Sequence, residues 1–221
     1  SRLHETKHGP ITVRTPVYVQ DVLDTVGHDG LEILYKDRIT ITEPGREWDK
    51  LLLEYCGGQR SVPAWGIGGL DFHGGKQGEK DQFDIQTVFL LGERTVGAAL
   101  AALGGGKMYA RQTTDAFALS LDFSLTSADG ASRGTLGDRI SSTGPVGFEI
   151  GVSASDGGAY EVLVRLIRGG KEIKRYRGTT PVAISAGDTY YSSGESTYYR
   201  VIVEGESPHK VLSNPIFVAF E

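Results

Sequence analysis

Two short stretches carry residue types that could do chemistry together. In Gly69-Leu70-Asp71-Phe72-His73, a carboxylate and an imidazole stand two residues apart within the glycine-framed run from Ala64 to Gly78. In extended backbone, residues i and i+2 project to the same side, so Asp71 and His73 can converge on one object while Phe72 faces away. A carboxylate oxygen and an imidazole nitrogen together form a donor set for a divalent metal. The second stretch, His4-Glu5-Thr6-Lys7-His8, fits His-Glu-x-x-His, in which two histidines one helical turn apart hold zinc and the glutamate activates a bound water. That chemistry needs a helix running through both histidines. Only three residues precede His4, and Gly9-Pro10 follow His8 at once, where a helix stops. The flanking residues therefore speak against a zinc peptidase. Without further context, Asp71 and His73 also read as a turn carboxylate and a surface imidazole.

The elements that must position these residues divide the chain in two. From Val17 to about Leu103 short helices and strands alternate. "VYVQDVLDTV" predicts a first helix with Thr15 as N-cap, Pro16 at its first position and Gly27 at its end. "GLEILY" predicts a strand on which Glu32 could support the site or pair with a nearby cation. "REWDKLLLEYC" places Trp48, Leu51, Leu52 and Tyr55 at i, i+3, i+4 and i+7, a helix stopped by Gly57-Gly58. "VPAWGIGGL" and "IQTVFLL" predict strands, and "TVGAALAAL" a small-residue helix closed by Gly104-Gly105-Gly106. Such alternation argues for a parallel α/β arrangement. Beyond Lys107 the runs "FALSLDFSL", "VGFEIGVSA", "YEVLVRLIR", "YYRVIVEG" and "NPIFVAF" are β-rich, several with period-two alternation, and no helix is expected. These predict an immunoglobulin-like antiparallel β-sandwich over 108–221, preceded by an α/β domain over 1–107.

Composition bounds what this arrangement can do. The chain has 221 residues, a net charge of −5 and a pI near 5.6, which argues against nucleic-acid binding driven by overall charge. The basic run "RLIRGGKEIKRYR" reads as a solvated hairpin, because no aromatic platform interleaves its charges. No apolar run approaches the roughly 20 residues that cross a bilayer, and no signal-peptide pattern opens the chain, so a soluble protein is expected. The single cysteine, Cys56, excludes an intrachain disulfide framework and is expected in a buried helix position. Trp48 and Trp65 are expected in the core. The only methionine is Met108, so residue 1 is no initiator and a processed or shortened chain is expected.

The series "HDGLEILYKDRITITEPGREWDKLL", "VPAWGIGGLDFH" and "DIQTVFLLGERTVGAALAALGGGKMYARQTT", with a later "SNPIFV", resembles the C-terminal half of a PHP-type domain. This is the polymerase-and-histidinol-phosphatase class of metal-dependent phosphoesterases. The resemblance spans about residues 17 to 114, with a weaker extension to the C-terminus. It implies the C-terminal portion of a distorted βα barrel whose last metal motif is Gly69-x-Asp71-x-His73, with Asp71 and His73 as ligands. It also implies divalent metal ions (Zn, Mn or Fe) and hydrolysis of a phosphate-ester small molecule or nucleotide by metal-activated water in the complete protein. His8 is a further candidate ligand, although Gly9 stands where the family prefers proline directly after its histidine. The family's N-terminal His-x-His pair has no counterpart in the sequence, and about half the barrel is missing. The expectation is therefore a partial active site, inactive alone, with barrel edges that invite self-association through residues 1–107. The competing expectation is a non-catalytic binding or adhesion module built on the β-sandwich.

Overall fold

A computed structural model describes residues 2–13, 19–35, 41–70 and 83–221. The chain begins with a hairpin, β1 (Arg2–Thr6) and β2 (Gly9–Val13), followed by α1 (Val19–Asp24), β3 (Gly30–Leu34), α2 (Glu47–Cys56) and β4 (Trp65–Gly68). Then come β5 (Ile85–Phe89), α3 (Val96–Gly104), β6 (Met108–Gln112), β7 (Leu119–Thr126), β8 (Arg133–Thr135) and β9 (Arg139–Ser142). The remainder is β10 (Gly147–Ala154), β11 (Glu161–Arg168), β12 (Lys171–Thr179), β13 (Val182–Gly187), β14 (Ser196–Glu204), β15 (Lys210–Ser213) and β16 (Ile216–Phe220). The fold is mostly β with several sheets, and no helix follows Lys107 among the described residues. The expected cap Thr15 and Pro16 lie outside the described residues.

Period-two sequence builds the outer sheet, ordered β13-β10-β7-β8. Along β7, Leu119, Leu121, Phe123 and Leu125 turn inward, and along β10 so do Phe148, Ile150 and Val152. Alternation of this kind leaves one face in water. The larger sheet runs β12-β11-β14-β15-β6-β5, with β16 beside β14 and β9 parallel to β16. Its central strand β14 is buried almost end to end, because both of its faces are covered. Tyr199, Val201 and Val203 join the core shared with the outer sheet, whereas Tyr198 and Ile202 join a second core with α2, β3 and β4. The molecule is thus layered: the outer sheet, the large sheet, then α2 with the β3–β4 pair.

One expectation about the first half is corrected by this packing. Contacts cross the expected division at 107/108: β5 pairs with β6, and the second core joins Ile33, Trp48 and Leu52 to Met108, Ile202 and Phe217. A face of β14 that is apolar on both sides must have a cover on each, and the α/β half is that second cover. The parallel arrangement holds for β3 and β4, but β5 and β6 are antiparallel. Leu90 donates its amide to the Lys107 carbonyl at 2.8 Å, so α3 lies inside the loop of a hairpin instead of crossing between parallel strands. The helix expectations for α2 and α3 are met, with Thr95 accepting the Ala98 amide at 3.1 Å as N-cap of α3. Val96, Leu100 and Leu103 of α3 remain exposed.

Candidate functional site

β3 and β4 run side by side in parallel, with Glu32 opposite Ile67. Beyond the end of β4, the Gly69 amide still donates to the Leu34 carbonyl at 3.0 Å, which carries the extended pairing one step further. Glu32 turns its carboxylate onto this strand end. A β-carbon built at Gly69 would lie 1.9 Å from Glu32 Oε1, so the carboxylate occupies the space that a side chain there would need. Ligands in open α/β sheets bind beyond the carboxyl ends of strands, and Glu32 and Gly69 mark such an end two residues before Asp71. Asp71 and His73 themselves lie outside the described residues. His8 is exposed in the turn between β1 and β2, where its amide donates to Thr6 Oγ1 at 3.2 Å. Its neighbour in the His-Glu-x-x-His stretch, His4, is on β1 opposite Ile11. The stretch therefore follows a strand and a turn, not the helix that zinc-peptidase geometry requires. Among the described residues, no group of three or more His, Cys, Asp or Glu is arranged to hold a metal.

β4 is held in place by side chains from elsewhere in the chain. Its glycines permit close approach: a β-carbon at Gly66 would meet Ile33 at 2.4 Å, and one at Gly68 would meet Ile85 at 2.8 Å. Asn214 accepts the Gly66 amide at 2.7 Å and donates to the carbonyls of Gly66 and Met108, each at 3.0 Å. Thr87 Oγ1 accepts the Gly68 amide at 3.0 Å. Trp65 donates its indole N–H to the Gly104 carbonyl at 2.8 Å, and its ring covers Gly106, where φ is +67° and a β-carbon would lie 2.3 Å from the ring. Gly137 packs on the same turn, with its β-carbon position 2.0 Å from the Gly105 carbonyl oxygen. The glycine-rich end of α3 thus serves packing under Trp65.

The α-layer is fixed to the sheet by one buried ion pair. Asp49, on the first turn of α2, accepts Arg200 Nε at 2.7 Å, Arg200 Nη2 at 2.9 Å, the Tyr198 hydroxyl at 2.6 Å and the Gly45 amide at 2.7 Å. Arg200 also donates to the Thr42 carbonyl at 2.8 Å and lies against the Trp48 ring. Burial and the Asp49 charge push the Tyr198 phenol far up, so it stays a neutral donor. Other perturbed groups have structural causes. Burial drives the Cys56 thiol up to about 11, only partly offset by Arg139, which makes it a poor nucleophile. The hydrogen bond from Arg175, with Arg165 beside it, holds Glu172 down at about 2, within the β11–β12 hairpin expected from the basic run. Burial alone would raise Asp188, but Arg168 and Tyr199 outweigh it and lower its carboxyl. Burial also lowers His209 against a weaker opposing effect of Glu206. Its ring stacks on Phe117 at 3.8 Å, which stacks in turn on Tyr160 at 3.7 Å.

A separate groove of mixed polar and apolar lining lies on the outer sheet, among Asp122, Ser124, Arg133, Glu149, Ala183 and Ile184. Arg133 spans it, donating to Ser124 Oγ at 2.9 Å and to Glu149 at 2.5 Å. Sequence reasoning missed this groove, and also missed Asn214 and Thr87. Its polar residues are the outward positions of period-two strands, which read as ordinary solvated side chains. No protein-family model matches the chain, and no curated protein matches it. Among the described residues, no helix is long and apolar enough to cross a membrane.

Proposed function

We propose that this chain is a C-terminal portion of a metal-dependent phosphoesterase, with Asp71 and His73 contributing metal ligands beyond the end of β4. The observation that carries the reading is the strand end itself. A parallel pair ends where the Gly-x-Asp-x-His segment begins, and a second carboxylate, Glu32, already packs on Gly69 at that end. Carboxylate oxygens and imidazole nitrogen suit zinc, manganese or iron. When bound, such a metal would polarise phosphoryl oxygens and lower the pKa of a coordinated water. The chain's own contribution among the described residues is the strand end itself, paired to Leu34 through the Gly69 amide and covered by Glu32. Among the described residues, His8 stands exposed in the first hairpin.

The test is divalent-metal titration of the purified chain, with Mn²⁺ and Zn²⁺, beside His73→Ala. Weak binding lost in His73→Ala is expected, together with negligible turnover of a generic phosphate ester, because a multinuclear site needs more ligands than Asp71 and His73 supply. Binding that His73→Ala leaves unchanged would count against the reading. The second reading, a non-catalytic binding module, is favoured by the groove around Arg133 and Glu149. Ligand-dependent stabilisation abolished by Glu149→Ala but untouched by His73→Ala would favour it instead.

A further inference from the structure

We infer that α3 forms a self-association surface, on which two copies of this chain pair their helices antiparallel. Val96–Gly104 carries no polar side chain, and a helix that is apolar all round is ordinarily buried. Among the described residues this one is not. Val96 is 78% exposed, Leu100 63% and Leu103 41%, whereas Ala102 is the buried residue of the helix. Positions i, i+4 and i+7 fall on one side of a helix, so Val96, Leu100 and Leu103 form one stripe, turned away from Ala102. The stripe does not hold the helix in place. Thr95 caps its start by accepting the Ala98 amide, and Trp65 fixes its end by donating to the Gly104 carbonyl and covering Gly106. Three large apolar side chains are therefore presented outward on a helix that is anchored at its two ends.

A second copy is the occupant that this surface fits. A two-fold contact brings the same patch from both partners and must match itself. The stripe does so when the helices run antiparallel about Leu100, because Val96 of one copy then lies beside Leu103 and Gly104 of the other. Helix dipoles favour that direction, and so do the charges at the two ends. Glu93 and Arg94 stand exposed just before the N-cap. At the other end Lys107 follows the helix and bridges Asp138 at 2.5 Å, beside the Gly137 turn that packs on Gly105. Antiparallel pairing brings Glu93 of one copy towards Lys107 of the other, and Arg94 towards Asp138. Parallel pairing would set Glu93 against Glu93 and Arg94 against Arg94. The interface is small, since α3 has 9 residues and one face of such a helix offers less than the roughly 800 Å² per partner of a standard interface. A weak dimer follows, with a dissociation constant of roughly 10–100 µM.

The test is sedimentation of the full chain from about 1 to 200 µM, beside Leu100→Glu and Arg94→Glu. The wild type should pass from monomer to dimer across this range. Leu100→Glu should stay monomeric throughout, and because Leu100 is exposed its urea midpoint should match the wild type. Arg94→Glu, which sets a second acid against Asp138, should weaken the dimer about threefold or more at low salt, with the difference shrinking at 0.5 M salt. Direction is read by oxidative cross-linking. Leu100→Cys, at the centre of the antiparallel pair, should link to its own copy readily, and Val96→Cys, set off from the centre by one helical turn in each partner, at least tenfold more slowly. Wild type, whose only thiol is the poorly reactive Cys56, is the blank. A wild type that remains monomeric at 200 µM, including one whose stripe instead binds phosphatidylcholine vesicles, would overturn the proposal. So would a dimer that Leu100→Glu leaves intact. Equal cross-linking through both cysteines would overturn the antiparallel arrangement. None of these readouts involves metal, so the result stands apart from the phosphoesterase reading.

Discussion

Replacing Arg200 with methionine should destabilise the chain by about 3–5 kcal/mol, the usual cost of leaving a buried charge without its partner. Asp49 is 0% exposed, and its carboxylate takes two of its four hydrogen bonds from the guanidinium. Methionine keeps an unbranched stem against the Trp48 ring but removes both charged donors. The Tyr198 hydroxyl and the Gly45 amide remain, and two neutral donors do not offset the desolvation of a carboxylate. The expected loss is a large part of the roughly 5–15 kcal/mol that stabilises a domain. Asp49→Leu combined with Arg200→Met removes both charges and leaves only neutral groups short of a partner. The double variant should therefore be no worse than either single one, giving an interaction energy of at least about 3 kcal/mol in the cycle. Urea unfolding is followed by tryptophan fluorescence, which reports on Trp48 in α2 and Trp65 in β4, and by far-UV circular dichroism, which reports on the strands. Because the ion pair joins α2 to the central strand, both signals should move together with an unchanged denaturant slope. A single substitution costing under about 1 kcal/mol, or two costs that simply add, would refute the reasoning about the charge. A fluorescence transition that precedes the strand signal would refute the joint folding of the layers.

Gly137→Ala should cost about 2–4 kcal/mol by thermal or urea denaturation, from a left-handed backbone combined with overpacking against the Gly105 carbonyl. Gly130→Ala, also left-handed but with open space around it, should cost only the backbone part. The lowered His209 pKa means that the unfolded chain binds a proton more readily than the folded one. Its contribution is therefore complete above the ordinary histidine value near 6.5 and is lost as pH falls from there towards the lowered folded value. His209→Phe, which keeps a ring on Phe117, should flatten this part of the stability–pH curve, and an unchanged curve would show that His209 does not cause it. Residues 108–221 expressed alone should fail to give a cooperative, monomeric fold. They would expose Met108, Ile167, Tyr198, Ile202, Leu212 and Phe217, on the order of 10 kcal/mol of lost burial, and leave Arg200 without Asp49. A soluble monomer of that fragment with a sharp transition would contradict the layered packing.

Much of the local structure was legible because its signals are short-range. The spacing of Trp48, Leu51, Leu52 and Tyr55 marks α2, and the glycines after Cys56 mark its end. The alternation in "FALSLDFSL" and "VGFEIGVSA" marks strands with one wet face. The layering was harder to read because it depends on partners some 150 positions away, as Asp49 is from Arg200. A signal was present in "TYYRVIVE", which does not alternate: a continuous apolar run flags a strand covered on both faces. An arginine in the middle of such a run demands a buried acid, and Asp49 among the apolar residues of α2 is the matching oddity. At the candidate site, Glu32 was legible from its position near a strand end. Asn214 and Thr87 were not, since an Asn-Pro pair reads as a turn and a threonine as an ordinary strand residue, and neither type announces which distant backbone it will serve.

The glycines that precede Asp71 and His73 now have a physical account. Gly66, Gly68 and Gly69 are small because Ile33, Ile85 and Glu32 occupy the volumes their side chains would fill. Close approach has a consequence for specificity, however. Register in a strand is set largely by which side chains face the core, and a glycine-rich strand carries few of them, so slippage is weakly resisted. Apolar packing by Trp65 and Ile67 favours burial but tolerates small displacements, whereas a hydrogen bond to one particular amide does not. A strand that must be thin enough to lie against its neighbours and also fixed in register therefore needs polar partners from outside. Asn214 and Thr87 are partners of that kind. The same logic accounts for a large sheet that serves two cores: one face closes the sandwich-like layer, and the other supplies the fixed points against which a glycine strand can be located.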